Sequence, residues 1–167
     1  AIGEDPEREG LIDTPQRVAR MYSDLFAGMS EDPVAALATV FQEVDFRDPV
    51  VLRNVSFFSI CEHHMLPFFG QVHMGYLPSG RVAGASKLIR ALEVLASRPQ
   101  LQERMTAQLA DAINTALTPN GVTVIVEAEH LCMVMRGVKK VGSTIMLSLI
   151  HISEPTRPRL ISYAVFW

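Results

Sequence analysis

The chain has 167 residues, 49% of them hydrophobic and 20% charged, which supplies a core and excludes disorder, collagen-like repeats and disulfide-scaffold peptides. Fifteen Lys and Arg against eighteen Asp and Glu give a formal charge of −3, so nucleic-acid or membrane binding through bulk positive charge is not expected. No apolar run nears the roughly 20 residues that span a bilayer, and the acidic start AIGEDPEREG is unlike a signal peptide, so a soluble, intracellular chain is expected.

Thr14-Pro15 reads as a helix start, a capping hydroxyl ahead of proline, with Val18, Met21, Tyr22, Leu25, Phe26 and Met29 at helical spacing. Asp32-Pro33 opens a short helix to about Phe41. β-Branched and aromatic residues predict strands from Val50 to Ile60 and from about Phe69 to Leu77, the second closed by Pro78-Ser79-Gly80. Helices follow from Ser86 and from Leu101, separated by Pro99, the second closed by Pro119-Asn120-Gly121. Val122 to Met135 reads as one long strand. This order predicts an α+β domain with a largely antiparallel sheet.

A final strand and helix would complete that layer, and the sequence after Met146 does not obviously supply them. Leu147 to Trp167 has no amphipathic period, and LSLIHISEPTR resembles the conceptual translation of a sequencing adapter. The expected organisation is a domain over residues 1–146 and a non-native tail over 147–167. No function is therefore placed on His151 or Arg157.

The chemistry centres on CEHH, between the first two strands, and a distant HLCMVMRG. Cys61 and His64 are spaced C-x-x-H, and with Cys132 they make a three-ligand metal site that leaves a fourth position open, as catalytic zinc requires. The competing reading is two core cysteines. His130 lies two residues before Cys132, so in a strand both would share a face, and His63 adjoins His64. Either histidine can move protons near neutral pH or merely orient ligands. His73 reads as structural. Arg17, Arg20, Lys87, Arg90, Arg136, Lys139 and Lys140 form either a polyanion pocket or ordinary surface charge. Glu103 sits where a helix N-terminus favours a carboxylate.

Four blocks, GEDPEREGLIDTPQRVARMY, FSICEHHMLPFFGQVHMGYLP, GASKLIRALEVLASRPQLQERMT and VEAEHLCMVMRGVKK, together resemble the GTP cyclohydrolase I family, in order from Gly3 to about Met146. The resemblance implies a tunnelling fold, an antiparallel sheet with helices on one face, assembled as an oligomeric barrel of ten copies. It implies Zn2+ on Cys61, His64 and Cys132, and catalytic roles for His63, His130 and Ser86. Gln102 and Glu103 fall on guanine-recognition positions; Lys87, Arg90 and Arg136 fall on ribose and triphosphate contacts. Arg17 and Arg20 fall on basic positions that reach the triphosphate from a neighbouring subunit.

The implied reaction is cytoplasmic. It opens the guanine ring of GTP by hydrolysis at C8, releases formate and rearranges the rest to 7,8-dihydroneopterin triphosphate. Two other readings stay open: a nitrile-reducing or pterin-handling relative of the same fold, and an inactive zinc-stabilised fragment.

Overall fold

The computed structural model describes residues 3–42, 46 and 48–152. Its elements are α1 (Thr14–Leu25), a 3-10 turn (Ala27–Ser30), α2 (Pro33–Ala36), β1 (Val40–Gln42), β2 (Val50–Cys61), β3 (Pro67–Leu77) and β4 (Arg81–Ala83). Then come α3 (Ala85–Ala96), β5 (Pro99–Gln100), α4 (Gln102–Leu117), β6 (Gly121–His130), α5 (Leu131–Val134) and β7 (Ile145–Ile152). Five strands form one sheet in the order β5-β2-β3-β6-β7, antiparallel except for the parallel β5–β2 pair, and β1–β4 is a separate antiparallel ribbon.

Alternation along the strands decides which face is covered. Phe57, Phe68, Val72, Met74, Tyr76, Val122, Val124, Val126 and Ala128 point inward onto Leu88, Leu92 and Leu95 of α3 and Met105, Leu109, Ile113 and Leu117 of α4. The expected α+β class with helices on one face is what the chain adopts. The opposite face is open, and Phe58 stands 72% exposed on it, beside Phe69. β3 and β6 approach so closely that a Cβ on Gly70 would lie 1.9 Å from the Glu127 carbonyl oxygen, which leaves glycine as the residue that fits.

Four expectations change. Asp13, not Thr14, occupies the α1 cap position, and the Thr14 hydroxyl donates back to the Gly10 carbonyl at 3.3 Å. The second helix stops at Ala36, because Val40–Gln42 is drawn into pairing with Arg81–Ala83. The long strand stops at His130. Its partner there is Phe68, and the next position of β3 is Pro67, which has no N–H to continue the ladder. Cys132 therefore sits on a helical turn, and the shared strand face expected for His130 and Cys132 does not exist.

The fourth change concerns the tail. A closing strand is present: Ile145–Ile152 pairs along β6 from Ala128↔Ile145 to Gly121↔Ile152, across the boundary expected at Met146. Ile145, Leu147, Leu149 and His151 turn inward and alternate with exposed residues. Alternation over eight residues suffices for an edge strand, so it escapes a search for helical periodicity. Arg157 lies outside the described residues.

Candidate metal centre

Cys61 is the last residue of β2, and the five residues after it turn the chain into β3. Met65 N–H donates to the Cys61 carbonyl and Cys61 N–H to the Leu66 carbonyl, both at 2.9 Å, while Glu62 N–H reaches Gln100 of β5 at 3.0 Å. Met65 closes the turn at φ 52°, a left-handed conformation that costs a non-glycine residue about 1 kcal/mol. One compact helical turn brings positions 61 and 64 onto one side, which is the structural content of C-x-x-H.

Across the sheet, α5 brings up Cys132. Ligand atoms of Cys61, His64 and Cys132 all lie within 4.8 Å of one another. A cation about 2.3 Å from each sulfur and 2.0–2.1 Å from the imidazole nitrogen fits such a spacing, and two thiols with one imidazole suit zinc. Burial pushes the Cys132 thiol up, and the neighbouring Cys61 adds to this, while Arg136 acts in the opposite direction. Two thiolates side by side need a cation between them, so the donor set fits a metal.

His130 caps α5 and stacks on Phe68, with ring centres 4.8 Å apart and planes 4° from parallel. Burial pulls its pKa below the ordinary histidine value, partly offset by the negative charge of Glu103. Glu103 is exposed in the first turn of α4. His63 is exposed beside His64, their rings edge to face at 6.3 Å. Cys61, His63, His64, Glu103, His130, Cys132 and Arg136 thus converge on one end of the sheet.

Gln102 converges differently. Its side chain is 1% exposed and fully engaged: Nε2 donates to the carbonyls of Val126 (3.0 Å) and Ile145 (2.9 Å), and Oε1 meets His130 Nε2 at 2.8 Å. Both donors of the side chain and one lone pair of its oxygen are thus engaged within the chain, beside the position where the family resemblance implies a guanine contact.

Ser86, Lys87 and Arg90 lie elsewhere. Ser86 and Arg90 line a cleft of about 420 Å3 between α3 and the 3-10 turn, with Gly28 and Glu31. The other end of α3 is the one near the metal centre, where Ser59 Oγ donates to the Ala96 carbonyl at 2.7 Å. At 1.5 Å per residue about 15 Å of helix separates the two ends. Arg17 and Arg20 are also remote, on α1, where Arg17 pairs with Asp13 at 3.6 Å.

Sequence reasoning missed Phe68 and Arg104. Arg104 grips Glu62 of the CEHH turn through two nitrogens, at 2.5 and 2.9 Å, and holds that carboxyl below the usual carboxylate range. No sequence signal pointed to the pair, since Glu62 and Arg104 stand 42 residues apart and meet only in the fold.

A family model described as GTP cyclohydrolase I matches residues 1–158. The chain belongs to the GTP cyclohydrolase I family. It is 60% identical over 144 residues to "GTP cyclohydrolase 1" of Streptococcus pyogenes, covering 86% of this chain and 74% of that protein. It is 56% identical over 152 residues to the proteins of the same name from Halalkalibacterium halodurans and Geobacillus kaustophilus, covering 90% of the chain and 80% of each. A solved structure of the archaeosine synthase QueF-Like in the apo form aligns at TM-score 0.46 and 18% identity, over 61% of this chain and 91% of that one. Family membership brings with it the tunnelling fold expected from the motifs.

Proposed function

We propose that Cys61, His64 and Cys132 hold a Zn2+ ion and that His130, His63 and Glu103 work beside it on the guanine ring of GTP. The activity is that of the GTP cyclohydrolase I family: hydrolytic opening of the guanine ring, loss of C8 as formate and rearrangement to 7,8-dihydroneopterin triphosphate, the first step of tetrahydrofolate and pterin biosynthesis. The observation that carries the reading is the convergence of the three ligand atoms within 4.8 Å, with His130 and Glu103 at the same end of the sheet.

Cys61, His64 and Cys132 would hold the zinc, which would supply Lewis acidity and activate water for the hydrolysis. Glu103 accepts hydrogen bonds from the guanine N–H edge and so orients the ring. His130, neutral at rest because it is buried, takes up a proton and delivers it to the ring nitrogen beside C8. His63 and Ser86 assist the later proton transfers of ribose opening. Lys87, Arg90, Arg136, Arg17 and Arg20 bind the triphosphate, which serves positioning rather than chemistry.

Those last roles require a homo-oligomer, a decamer, in which one copy's α1 and α3 complete the site of another. Two observations support it. α1 buries no residue within its own chain and presents Val18, Met21 and Leu25 outward, and Ser86 sits about 15 Å and Arg90 about 9 Å of helix away from the end nearest the metal ligands. The protein works in the cytoplasm, in keeping with its bacterial relatives. We further propose that the segment after Met146 is of non-native origin, on its adapter-like sequence, and has been recruited as an edge strand.

The test is formate and dihydropterin release from GTP by the purified, zinc-loaded chain. One formate per GTP consumed is expected. Soluble, zinc-bound oligomer that releases none would overturn the activity of this chain.

A further inference from the structure

We infer that Gln102 is a positioning residue for His130, fixing its ring and its tautomer so that Nδ1 is the nitrogen that exchanges a proton with the substrate. The inference rests on the proposed role of His130.

The argument is one of donors and acceptors. A glutamine side chain has two N–H donors on nitrogen and only acceptor lone pairs on oxygen. Both donors of Gln102 are spent on carbonyls, those of Val126 in β6 and Ile145 in β7. The reverse amide orientation would set the oxygen against two carbonyl oxygens, so the assignment follows from the network. Oε1 is then what faces His130 Nε2 at 2.8 Å, and because Oε1 can only accept, Nε2 must carry the hydrogen. In the neutral ring that leaves the lone pair on Nδ1.

Position is fixed along with tautomer. The imidazole lies between the Phe68 face, 4.8 Å away and nearly parallel, and an amide that is itself buried. Three elements meet in that amide: α4 supplies it, β6 and β7 clamp it, and the histidine at the end of β6 reads its orientation. Ile145, the first residue of β7, thereby fastens the edge strand to a catalytic side chain.

Two measurements decide it. In the zinc-loaded full chain with 15N-labelled histidine, NMR should show His130 with its hydrogen on Nε2, its signals identified among five histidines by their loss in His130→Ala. A hydrogen on Nδ1 instead would overturn the inference, and this readout needs no variant of Gln102. Second, Gln102→Leu should retain wild-type zinc and lose about 10- to 100-fold in kcat, with KM for GTP within about twofold, as expected for a misplaced catalytic group. A raised KM with unchanged kcat would make Gln102 a substrate contact and overturn the inference. Undiminished formate release by His130→Ala would overturn the role of His130 itself. An inactive His130→Ala beside a Gln102→Leu of wild-type kcat would overturn the positioning role alone.

Discussion

Arg104 and Glu62 meet as a two-pronged ion pair, Nη1 and Nη2 of one on the two carboxylate oxygens of the other, between the first turn of α4 and the turn that carries His63 and His64. Both side chains are partly exposed, so the pair contributes little to global stability. Its effect is local: it fixes the residue between Cys61 and His63, and outer partners of metal ligands commonly set affinity. Arg104→Met is expected to weaken zinc retention about 10- to 100-fold, read by competition with a chromophoric chelator, with the unfolding midpoint little changed. Wild-type zinc affinity in that variant would mean that the backbone bonds of the turn hold His64 unaided.

Zinc itself is testable at Cys132. Burial, and after it the neighbouring Cys61, pushes the Cys132 thiol up, and α5 brings that thiol to the turn. Cys132→Ala should drop bound zinc from about one per chain to near zero and abolish formate release. The wild-type chain treated with chelator should lose activity and regain it with added zinc. Stoichiometric zinc in Cys132→Ala would sink the three-ligand coordination.

The grouping of Cys61, His64 and Cys132 was legible in the sequence because it rests on local spacing, one turn between Cys61 and His64, and on a family motif around Cys132. Gln102 was not. It lies beside Glu103 in the same motif, yet their side chains diverge, since successive helix residues point about 100° apart, one into the β6–β7 seam and one outward. β7 was missed for a different reason. Pairing needs only alternation and an unfilled edge, and a sequence of any origin that alternates can satisfy β6. The end of β6 was misread because LCMVM is a continuous apolar run, which periodicity cannot assign, and the deciding residue, Pro67, sits on another strand.

Tyr76 gives a pH-dependent prediction. Its hydroxyl, 3% exposed overall, accepts from the buried Ala83 N–H at 2.8 Å and so ties β3 to β4. Tyr76→Phe leaves that N–H without its acceptor and should destabilise by about 1–3 kcal/mol at pH 8. Burial raises the phenol above its ordinary value of about 10, so the folded state holds the proton more tightly than the unfolded chain does. This contribution is complete below the unfolded-state pKa and is lost as pH climbs through the folded one. The stability gap between wild type and Tyr76→Phe should therefore narrow above pH about 10 in denaturant titrations. A gap that widens with pH would contradict the burial of the phenol.

The edge strand can be tested by two residues on its opposite faces. Leu149 pairs with Val124 and packs against the core from β7, while Met146 is 64% exposed on the open face. If β7 is integral to the fold, Leu149→Ala removes contacts that a half-buried leucine makes and should cost about 1–2 kcal/mol, below the range for a fully buried one. Met146→Ala should stay within about 0.5 kcal/mol, as surface changes do. Urea unfolding of both variants, read by far-UV circular dichroism, separates the cases. Two silent substitutions would mean that the strand lies on β6 without contributing to the fold, whatever its origin. A costly Leu149→Ala with a silent Met146→Ala would place Ile145, and the carbonyl that holds Gln102, on a strand the domain depends on.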